Sequence, residues 1–205
     1  MSLRTHLVAQ FKRPTGLPGR LAGWIMAGRP SNRLRNSWTI DQLGIRPGDR
    51  VLEIGFGPGL ALAWAAKKAP NGKVIGLDHS PVMLAQATKR NRLAIAAGRM
   101  ELHQGGLEML DRIGGSFDRI VSANVVQFWD EPAAVFRALK ARLAPGGRIA
   151  TTFMPRHPGA GRADALAMAE RIEGWMKEAG FAQPKTAWLD LEPVPAVCVL
   201  ADNAL

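Results

Sequence analysis

The chain has 205 residues, of which 47% are hydrophobic and 21% are charged, a composition typical of a soluble globular domain. Its apolar runs are all shorter than the roughly 18–20 residues of a membrane-spanning helix, and Met1 is followed by no apolar signal core, so we expect a cytoplasmic protein. The single cysteine, Cys198, excludes an internal disulfide and lies in an apolar stretch, which predicts a buried structural thiol. No Asp, Glu or His residues have metal-ligand spacing, and we expect no metal.

The net charge of +10 is concentrated near the amino terminus. Residues 1–48 contain eight Lys and Arg against one acid, Asp41, which gives +7 for this segment. Such a segment is typical of an arm that contacts lipid head groups, nucleic acid phosphates or an acidic small substrate. A solvated helical face that only aids solubility explains the same charges.

Residues 1–48 are predicted to form a basic helical cap. Apolar residues at helical spacing indicate two short helices, each ended by a proline. A third helix is predicted to start at Ser31 or Asn32 and to run towards Gly44. Residues 47–49 then predict a turn before the first strand.

From residue 49 onward, strands and helices alternate, which is the pattern of a parallel sheet with helices on both faces. Ser80 before Pro81 is a typical helix start. The last two strands are predicted to be antiparallel. The predicted fold of residues 49–205 is therefore α/β, a doubly wound Rossmann-like sheet that is mostly parallel with an antiparallel C-terminal strand. The predicted elements are strand 50–55, helix 59–68, strand 73–78, helix 81–97, strand 99–104, strand 117–123, helix 132–143, a turn at 145–147, strand 148–154, helix 162–179, and strands 185–191 and 196–201.

The most informative stretch is 50–62, in which an apolar strand leads through three alternate glycines, from Gly55 to Gly59, into a helix. Glycines let a ligand approach the backbone, and the N-terminus of the following helix is electropositive. A dinucleotide fingerprint is excluded in both registers, because Leu60 and Leu62 stand where its third glycine belongs. A phosphate loop is excluded because no Lys-Ser or Lys-Thr follows the glycines.

Four segments, in order, resemble the motifs of the class I S-adenosylmethionine-dependent methyltransferases. They are Glu53-x-Gly55-x-Gly57-x-Gly59, Asp78 at the end of the second strand, residues 117–124 (Phe-Asp-Arg-Ile-Val-Ser-Ala-Asn) and residues 143–147 (Leu-Ala-Pro-Gly-Gly). The resemblance covers about residues 46–154. Within this family, the sequence is most similar to the small-molecule branch that includes quinone-biosynthesis methylases.

The resemblance implies S-adenosylmethionine as the cofactor. It places the glycine turn against the methionine tail and ribose, Glu53 at the ammonium group and Asp78 at the two ribose hydroxyls. A helix cap before Pro81 is the structural alternative for Asp78, and His79 is expected near the adenine. The residues expected to contact the cofactor are Glu53, Gly55, Gly57, Gly59, Asp78, His79, Gly106, Leu107 and Ser122.

The sequence departs from the family after the third strand. Family members commonly have an acidic residue there that binds the adenine amino group, whereas this chain has Gly106. Backbone groups of Gly106 and Leu107 can still meet the adenine edge, and Glu108 is a candidate substitute. Weaker cofactor binding is the alternative.

Methyl transfer is an in-line displacement, in which alignment of the reactants can supply about 7–11 kcal/mol. The acceptor is expected at the carboxyl end of the fourth strand and beside the cap. The candidates there are Asn124, Gln127, Phe128 and Trp129, of which the two aromatic residues are equally well explained as core. A base is needed only for an acceptor that must lose a proton. His6 and His157 lie outside the motifs, and surface positions explain them better than a catalytic role.

The sequence thus predicts methyl transfer to a small-molecule or lipid-like acceptor, mainly through positioning. Residues 124–127, Asn-Val-Val-Gln, lack the Asn/Asp-Pro-Pro-Tyr/Phe motif of enzymes that methylate amino groups of nucleic acids. The basic cap still permits contact with an anionic surface, or an RNA methyltransferase. A cofactor-binding regulatory protein without turnover is a third hypothesis, because no base is evident. The acceptor and the oligomeric state are left open.

Overall fold

The computed structural model describes residues 30–204. The first two predicted cap helices, within residues 1–29, lie outside this range. The strands are β1 (Arg50–Ile54), β2 (Lys73–Asp78), β3 (Met100–Gln104), β4 (Phe117–Ala123), β5 (Leu143–Phe153), β6 (Lys185–Leu189) and β7 (Ala196–Asp202). The helices are α1 (Pro30–Gln42), α2 (Leu60–Lys68), α3 (Pro81–Arg90), α4 (Arg92–Ala96), α5 (Leu110–Ile113), α6 (Pro132–Ala141) and α7 (Arg162–Glu178), with 3-10 turns at Leu107–Met109 and Val126–Phe128. None of these helices is both long and apolar enough to cross a bilayer.

The seven strands form one sheet in the order β3-β2-β1-β4-β5-β7-β6. Strands β1 to β5 pair in parallel, and β7 runs antiparallel between β5 and β6. The predicted doubly wound sheet with an antiparallel C-terminal strand is thereby confirmed. The strand order reverses between β1 and β4, and ligands of such sheets bind at the carboxyl ends of the strands beside this switch point.

Both faces of the sheet are covered. On one face, Val51 and Leu62 pack in a cluster with α1, α2 and α3; on the other, Leu52 packs with Phe136 and Ile172 of α6 and α7. Neighbouring strand residues point to opposite faces, so β1 is apolar on both sides. Each large aliphatic side chain buried in this way contributes about 1.5–3 kcal/mol to folding.

Helix α1, the described part of the predicted cap, packs into this core. Ile40 is 1% exposed, and the Thr39 hydroxyl donates to Thr152 Oγ1 on β5 at 2.8 Å. The carbonyl of Gly44, just after α1, accepts from Arg119 near the start of β4 at 3.2 Å. The first turn of α1, in contrast, lies beside the carboxyl end of β5, where Asn32 accepts a hydrogen bond from Arg156. Helix α1 therefore runs against the strand direction and brings its first turns to the ligand-binding edge.

Several predicted boundaries were wrong. The helix predicted at 81–97 is divided at Asn91, whose buried amide donates to the carbonyls of Ala87 at 3.0 Å and Gly59 at 3.2 Å. The turn predicted at 145–147 is part of β5, because Gly146 N–H donates to the Asn203 carbonyl and continues the pairing beyond β7. Helix α1 begins before Ser31 and Asn32, α6 ends at 141 rather than 143, and β6 ends at 189 rather than 191.

Cys198 lies at the centre of β7 and is completely buried. Burial raises its pKa to about 12, against a weaker opposite effect of a hydrogen bond with Thr152. The thiol is therefore protonated at neutral pH and packs as a small apolar group, as the sequence predicted.

Candidate functional site

The glycine turn joins β1 to α2 at the carboxyl edge of the sheet. Gly55, Gly57 and Gly59 have φ angles of 70°, 52° and 76°. The N–H of Gly55 donates to the carbonyl of Leu77 at 2.7 Å, which ties the turn to the end of β2. The turn therefore lies at the switch point of the sheet, where the topology predicts a ligand.

Two of these glycines have different surroundings. A Cβ on Gly59 would lie 2.6 Å from Asn91 Nδ2 and 2.8 Å from Ala87 Cβ, so this glycine allows α3 to pack closely. A Cβ on Gly57 would meet nothing within 4 Å. Gly57 thus borders open space, and its backbone is accessible to a ligand.

Asp78, at the end of β2, is bonded to the turn. Its carboxylate accepts from Gly57 N–H at 2.8 Å and from Ser80 N–H at 2.9 Å. Burial raises the pKa of Asp78, although these two N–H groups oppose the shift. Ser80, not Asp78, caps α3, because its hydroxyl accepts from Met83 N–H at 3.3 Å. A carboxylate has about four lone-pair sites, so Asp78 can also accept from a vicinal diol such as a ribose.

Glu53 is buried beside this turn, 3% exposed. Its carboxylate interacts with the N–H of Leu62 in the first turn of α2, whereas Oε2 is buried without a hydrogen-bond partner among residues 30–204. Burial raises the pKa of Glu53 well above its usual range, and the charge of Asp78 adds to this effect. The Leu62 N–H and Arg35 act in the opposite direction. A cationic ligand group would relieve this unfavourable environment, which is the property expected of an ammonium site.

Two arginines meet at Asn32, and one of them, Arg35, interacts with Glu53. Arg35 of α1 is 7% exposed and donates to Asn32 Oδ1 at 3.3 Å, and Arg156, in the loop after β5, donates to the same oxygen. The pKa of Arg35 is lowered to about 9, mainly by burial and then by Arg156, against an attraction to Glu53. From the sequence, Arg35 is evident only as one of the charges of the cap. Counting back from Thr39 in steps of three or four along the buried face of α1 would have reached Arg35 and Asn32.

The end of β3 approaches the end of β2 at Gly106. A Cβ on Gly106 would lie 2.7 Å from Cε1 of His79 and 2.8 Å from Oε2 of Glu108. Glu108 Oε1 accepts from Gly106 N–H at 2.7 Å, and this bond lowers the pKa of Glu108. An acidic group thus occupies the space beside Gly106, supplied from two residues further along. Leu107 is half-buried and packs against the core.

On the predicted acceptor side, Asn124 has a φ angle of 56° and joins the ends of β4 and β5. Its Nδ2 donates to the Met154 carbonyl at 2.8 Å, and its Oδ1 accepts from Met154 N–H at 2.9 Å. The amide is therefore committed to the backbone. Gln127 is exposed and donates to the carbonyl of Asn124 at 2.9 Å.

The remaining predicted residues are distributed between the core and the surface. The hydroxyl of Ser122 is 1% exposed and donates to Thr151 Oγ1 at 3.1 Å, within the sheet. Trp129 packs edge-on against Phe136, with ring centroids 5.3 Å apart, which agrees with the core alternative. The side chain of Phe128 is half-buried. His157 is exposed, and its Nε2 lies 3.2 Å from Oδ1 of Asp164. His6 is outside the described range.

A cavity of about 430 Å³ lies at the opposite, amino-terminal edge of β4 and β5. Three arginines line it: Arg119 pairs with Asp49 at 3.3 Å, Arg148 pairs with Asp202 at 2.6 Å, and Arg46 is the third. Two of its three positive charges are thus already compensated. Within the part of the chain that the structure describes, no group of three or more His, Cys, Asp or Glu is placed to hold a metal ion.

Comparisons with known proteins agree with this geometry. The family described as "Methyltransferase domain" matches residues 51–147. "Uncharacterized methyltransferase YdaC" of Bacillus subtilis (strain 168) is 31% identical over 181 residues, covering 88% of this chain and 97% of the relative. The "Ubiquinone biosynthesis O-methyltransferase" of Pseudomonas aeruginosa (strain UCBPP-PA14) is 26% identical over 130 residues, 63% of this chain and 54% of that protein, so the chain spans about half of it. The crystal structure of a SAM dependent methyltransferase from Aquifex aeolicus has the same fold, with a TM-score of 0.69, 18% identity and coverage of 86% of this chain and 94% of that one.

The contrast between Gly57 and Gly59 predicts different costs for two alanine substitutions. Gly57→Ala should lower the free energy of unfolding by about 1–2 kcal/mol, the cost of a left-handed non-glycine residue. Gly59→Ala should lower it by about 2–5 kcal/mol, because overpacking against α3 adds about 1–3 kcal/mol to that strain. Urea unfolding of both variants without ligand measures the difference. Equal losses would contradict the assignment of Gly59 to the contact with α3.

Proposed function

The chain belongs to the class I S-adenosylmethionine-dependent methyltransferases, and we propose that it methylates a small molecule that enters beside β4, β5 and α1. S-adenosylmethionine is its cofactor. The observation that supports the site is the half-paired carboxylate of Glu53 beside the open backbone of Gly57. An ammonium group, a ribose and an adenine each have a suitable neighbour there.

In this proposal, Glu53 receives the ammonium group of the methionine tail. Gly57 leaves room for the tail and ribose, and Asp78 accepts the ribose hydroxyls while it holds the turn. His79 and Glu108 border the adenine on the side of Gly106. These residues bind and orient the cofactor, and none of them is required to exchange a proton with the acceptor.

The bound cofactor supplies a methyl group activated by a positive sulfur, so the protein contributes mainly alignment and exclusion of water. The Asn124 amide fixes the end of β4 to the end of β5, which gives the acceptor pocket a rigid wall. Gln127 is exposed on the same loop and can contact the acceptor. Ser122 is buried and the half-buried Trp129 packs against the core, which leaves both a supporting role.

The small-molecule acceptor has support from relatives named for ubiquinone and hydroquinone methylation, each of which this chain covers only in part. The comparisons favour neither RNA methylation nor a binding protein without turnover. A lipid-like acceptor, contact of the basic cap with an anionic surface and a cytoplasmic location stay predictions.

Isothermal titration tests the proposed cofactor site. The wild-type chain should bind S-adenosylmethionine and its product S-adenosylhomocysteine, and should not bind NAD. Incubation of the protein with S-adenosylmethionine and small-molecule extracts should then produce S-adenosylhomocysteine faster than the same incubation without extract. Binding of NAD in place of both sulfur compounds would refute the proposed function.

Replacing Glu53 by Gln tests the ammonium site. The change removes a charge-assisted hydrogen bond of about 1.5–3 kcal/mol, so S-adenosylmethionine affinity should fall about 10–100-fold. Glu178→Gln, which changes an exposed carboxylate, is the matched control and should bind normally. Titration calorimetry measures both. Unchanged affinity in Glu53→Gln would remove Glu53 from the cofactor site.

The raised pKa of Glu53 also predicts how its effect on stability depends on pH. The stability contribution of such a carboxyl is complete below its unfolded pKa, about 4.3, and is lost as the pH rises through the raised folded value. Glu53→Gln should therefore gain stability relative to wild type between about pH 5 and about pH 8 in the absence of ligand. Thermal unfolding at both pH values measures this. A relative loss over the same interval would show that Glu53 is ionised at low cost.

Glu108 is predicted to replace the missing adenine-binding acid. Glu108→Ala should weaken S-adenosylhomocysteine binding about tenfold, as expected for loss of a hydrogen bond to a charged group. S-inosylhomocysteine, which lacks the adenine amino group, should bind Glu108→Ala and wild type alike. Glu131→Ala, at the start of α6, is the control. A parallel loss for both ligands would assign Glu108 a structural role.

A further inference from the structure

We propose that Arg35 and Arg156, joined through Asn32, form an oxyanion subsite, and that the methyl acceptor carries the carboxylate or phosphate that fills it. This inference rests on the proposed function. It specifies the chemical class of the acceptor, which is an anion whose charged group lies on the α1 side of the transferred methyl group.

The two guanidinium groups converge on one point. Nη1 of Arg35 donates to Asn32 Oδ1 at 3.3 Å, and Nη2 of Arg156 donates to the same oxygen. Arg35 is buried, whereas Arg156 is exposed, so the cluster leads from the surface to the interior. An oxyanion entering past Arg156 would find donors on both arginines, in the arrangement that suits carboxylates and phosphates.

Arg35 is incompletely paired within the described range. Its Nε is buried without a hydrogen-bond partner, and none of the ion pairs within 4.0 Å among residues 30–204 includes its guanidinium. Burial of a guanidinium without a carboxylate partner is strongly unfavourable. A bound anion would supply both the missing acceptor and the missing charge.

The position of the cluster favours the acceptor as the source of the anion. Gly57 and Asp78, which border the cofactor, lie at the ends of β1 and β2. Arg156 instead follows β5, two residues after Met154, which is bonded to Asn124 at the end of β4. The oxyanion subsite therefore adjoins Glu53 through Arg35 and opens through Arg156 on the acceptor half of the edge.

The test measures anion binding to the complex with S-adenosylhomocysteine. Citrate and inorganic phosphate are titrated into wild type, Arg156→Gln and Arg35→Met at constant ionic strength. At least one probe should bind the wild-type complex saturably, and each substitution should weaken that binding about 10–100-fold, as expected for loss of a charge-assisted hydrogen bond. Arg137→Gln removes one exposed positive charge on α6 and should bind as wild type does.

A second measurement identifies the source of the anion. S-adenosylhomocysteine affinity should change less than about threefold in Arg156→Gln and Arg35→Met, because the subsite belongs to the acceptor. If its affinity falls more than tenfold while that of 5′-methylthioadenosine, which lacks the amino-acid tail, is unchanged, the cluster binds the carboxylate of the cofactor and the proposal is wrong.

The remaining outcomes are also decisive. Normal S-adenosylhomocysteine binding with no saturable anion binding, or with equal binding in all variants, overturns the subsite and leaves the proposed function intact. A wild-type chain that does not bind S-adenosylhomocysteine overturns the proposed function, and the subsite with it. Since Arg156 is exposed, its substitution keeps the test valid even where Arg35→Met fails to fold.

Discussion

The ligand-binding edge depends on one buried and half-paired carboxylate, that of Glu53. The Leu62 N–H at the start of α2 stabilises this carboxylate, but burial and the charge of Asp78 disfavour its ionised form. Apolar neighbours on β1 and α2 exclude the water that would otherwise solvate it. A cation that enters the open space beside Gly57 therefore gains a charge-assisted interaction with this carboxylate. The fold itself therefore favours a positively charged ligand at this position.

The proposed donor and acceptor halves of the edge are built by different parts of the chain. Bonds among Gly55, Gly57, Leu77 and Asp78 join the ends of β1 and β2, whereas Asn124 joins the ends of β4 and β5. Helix α1 spans the gap between the halves, because its buried face brings Arg35 towards both Glu53 and Arg156. Since each half is held by its own hydrogen bonds, acceptor chemistry can change without disturbing the methyl donor.

The donor half was predictable because its signals are local. A strand, three glycines, a helix and an acid after the next strand are adjacent in sequence, and their spacing alone excluded a dinucleotide. Three features were not predictable in this way: the burial of Arg35, the helix break at Asn91 and the orientation of the Ser122 side chain into the sheet. Each depends on a partner distant in sequence: α1 docks on β5, Asn91 bonds to Gly59, and Ser122 bonds to Thr151. In a sheet that is buried on both faces, the strands are apolar on both sides, so the sequence pattern of β4 does not show which of its side chains face the ligand.

At Gly106 an acidic group lies beside the position of the motif although the residue at that position is a glycine. The bond from Gly106 N–H to Glu108 turns an acid two residues away back over the glycine. A Cβ at position 106 would lie 2.7 Å from His79 Cε1 and 2.8 Å from Glu108 Oε2, so a larger residue there would require both side chains to shift. A comparison of motifs position by position shows only that position 106 has no acid. It does not show where the long side chain of a later residue, such as Glu108, lies. Charge and reach, rather than the register of the motif, therefore determine what this part of the site can bind.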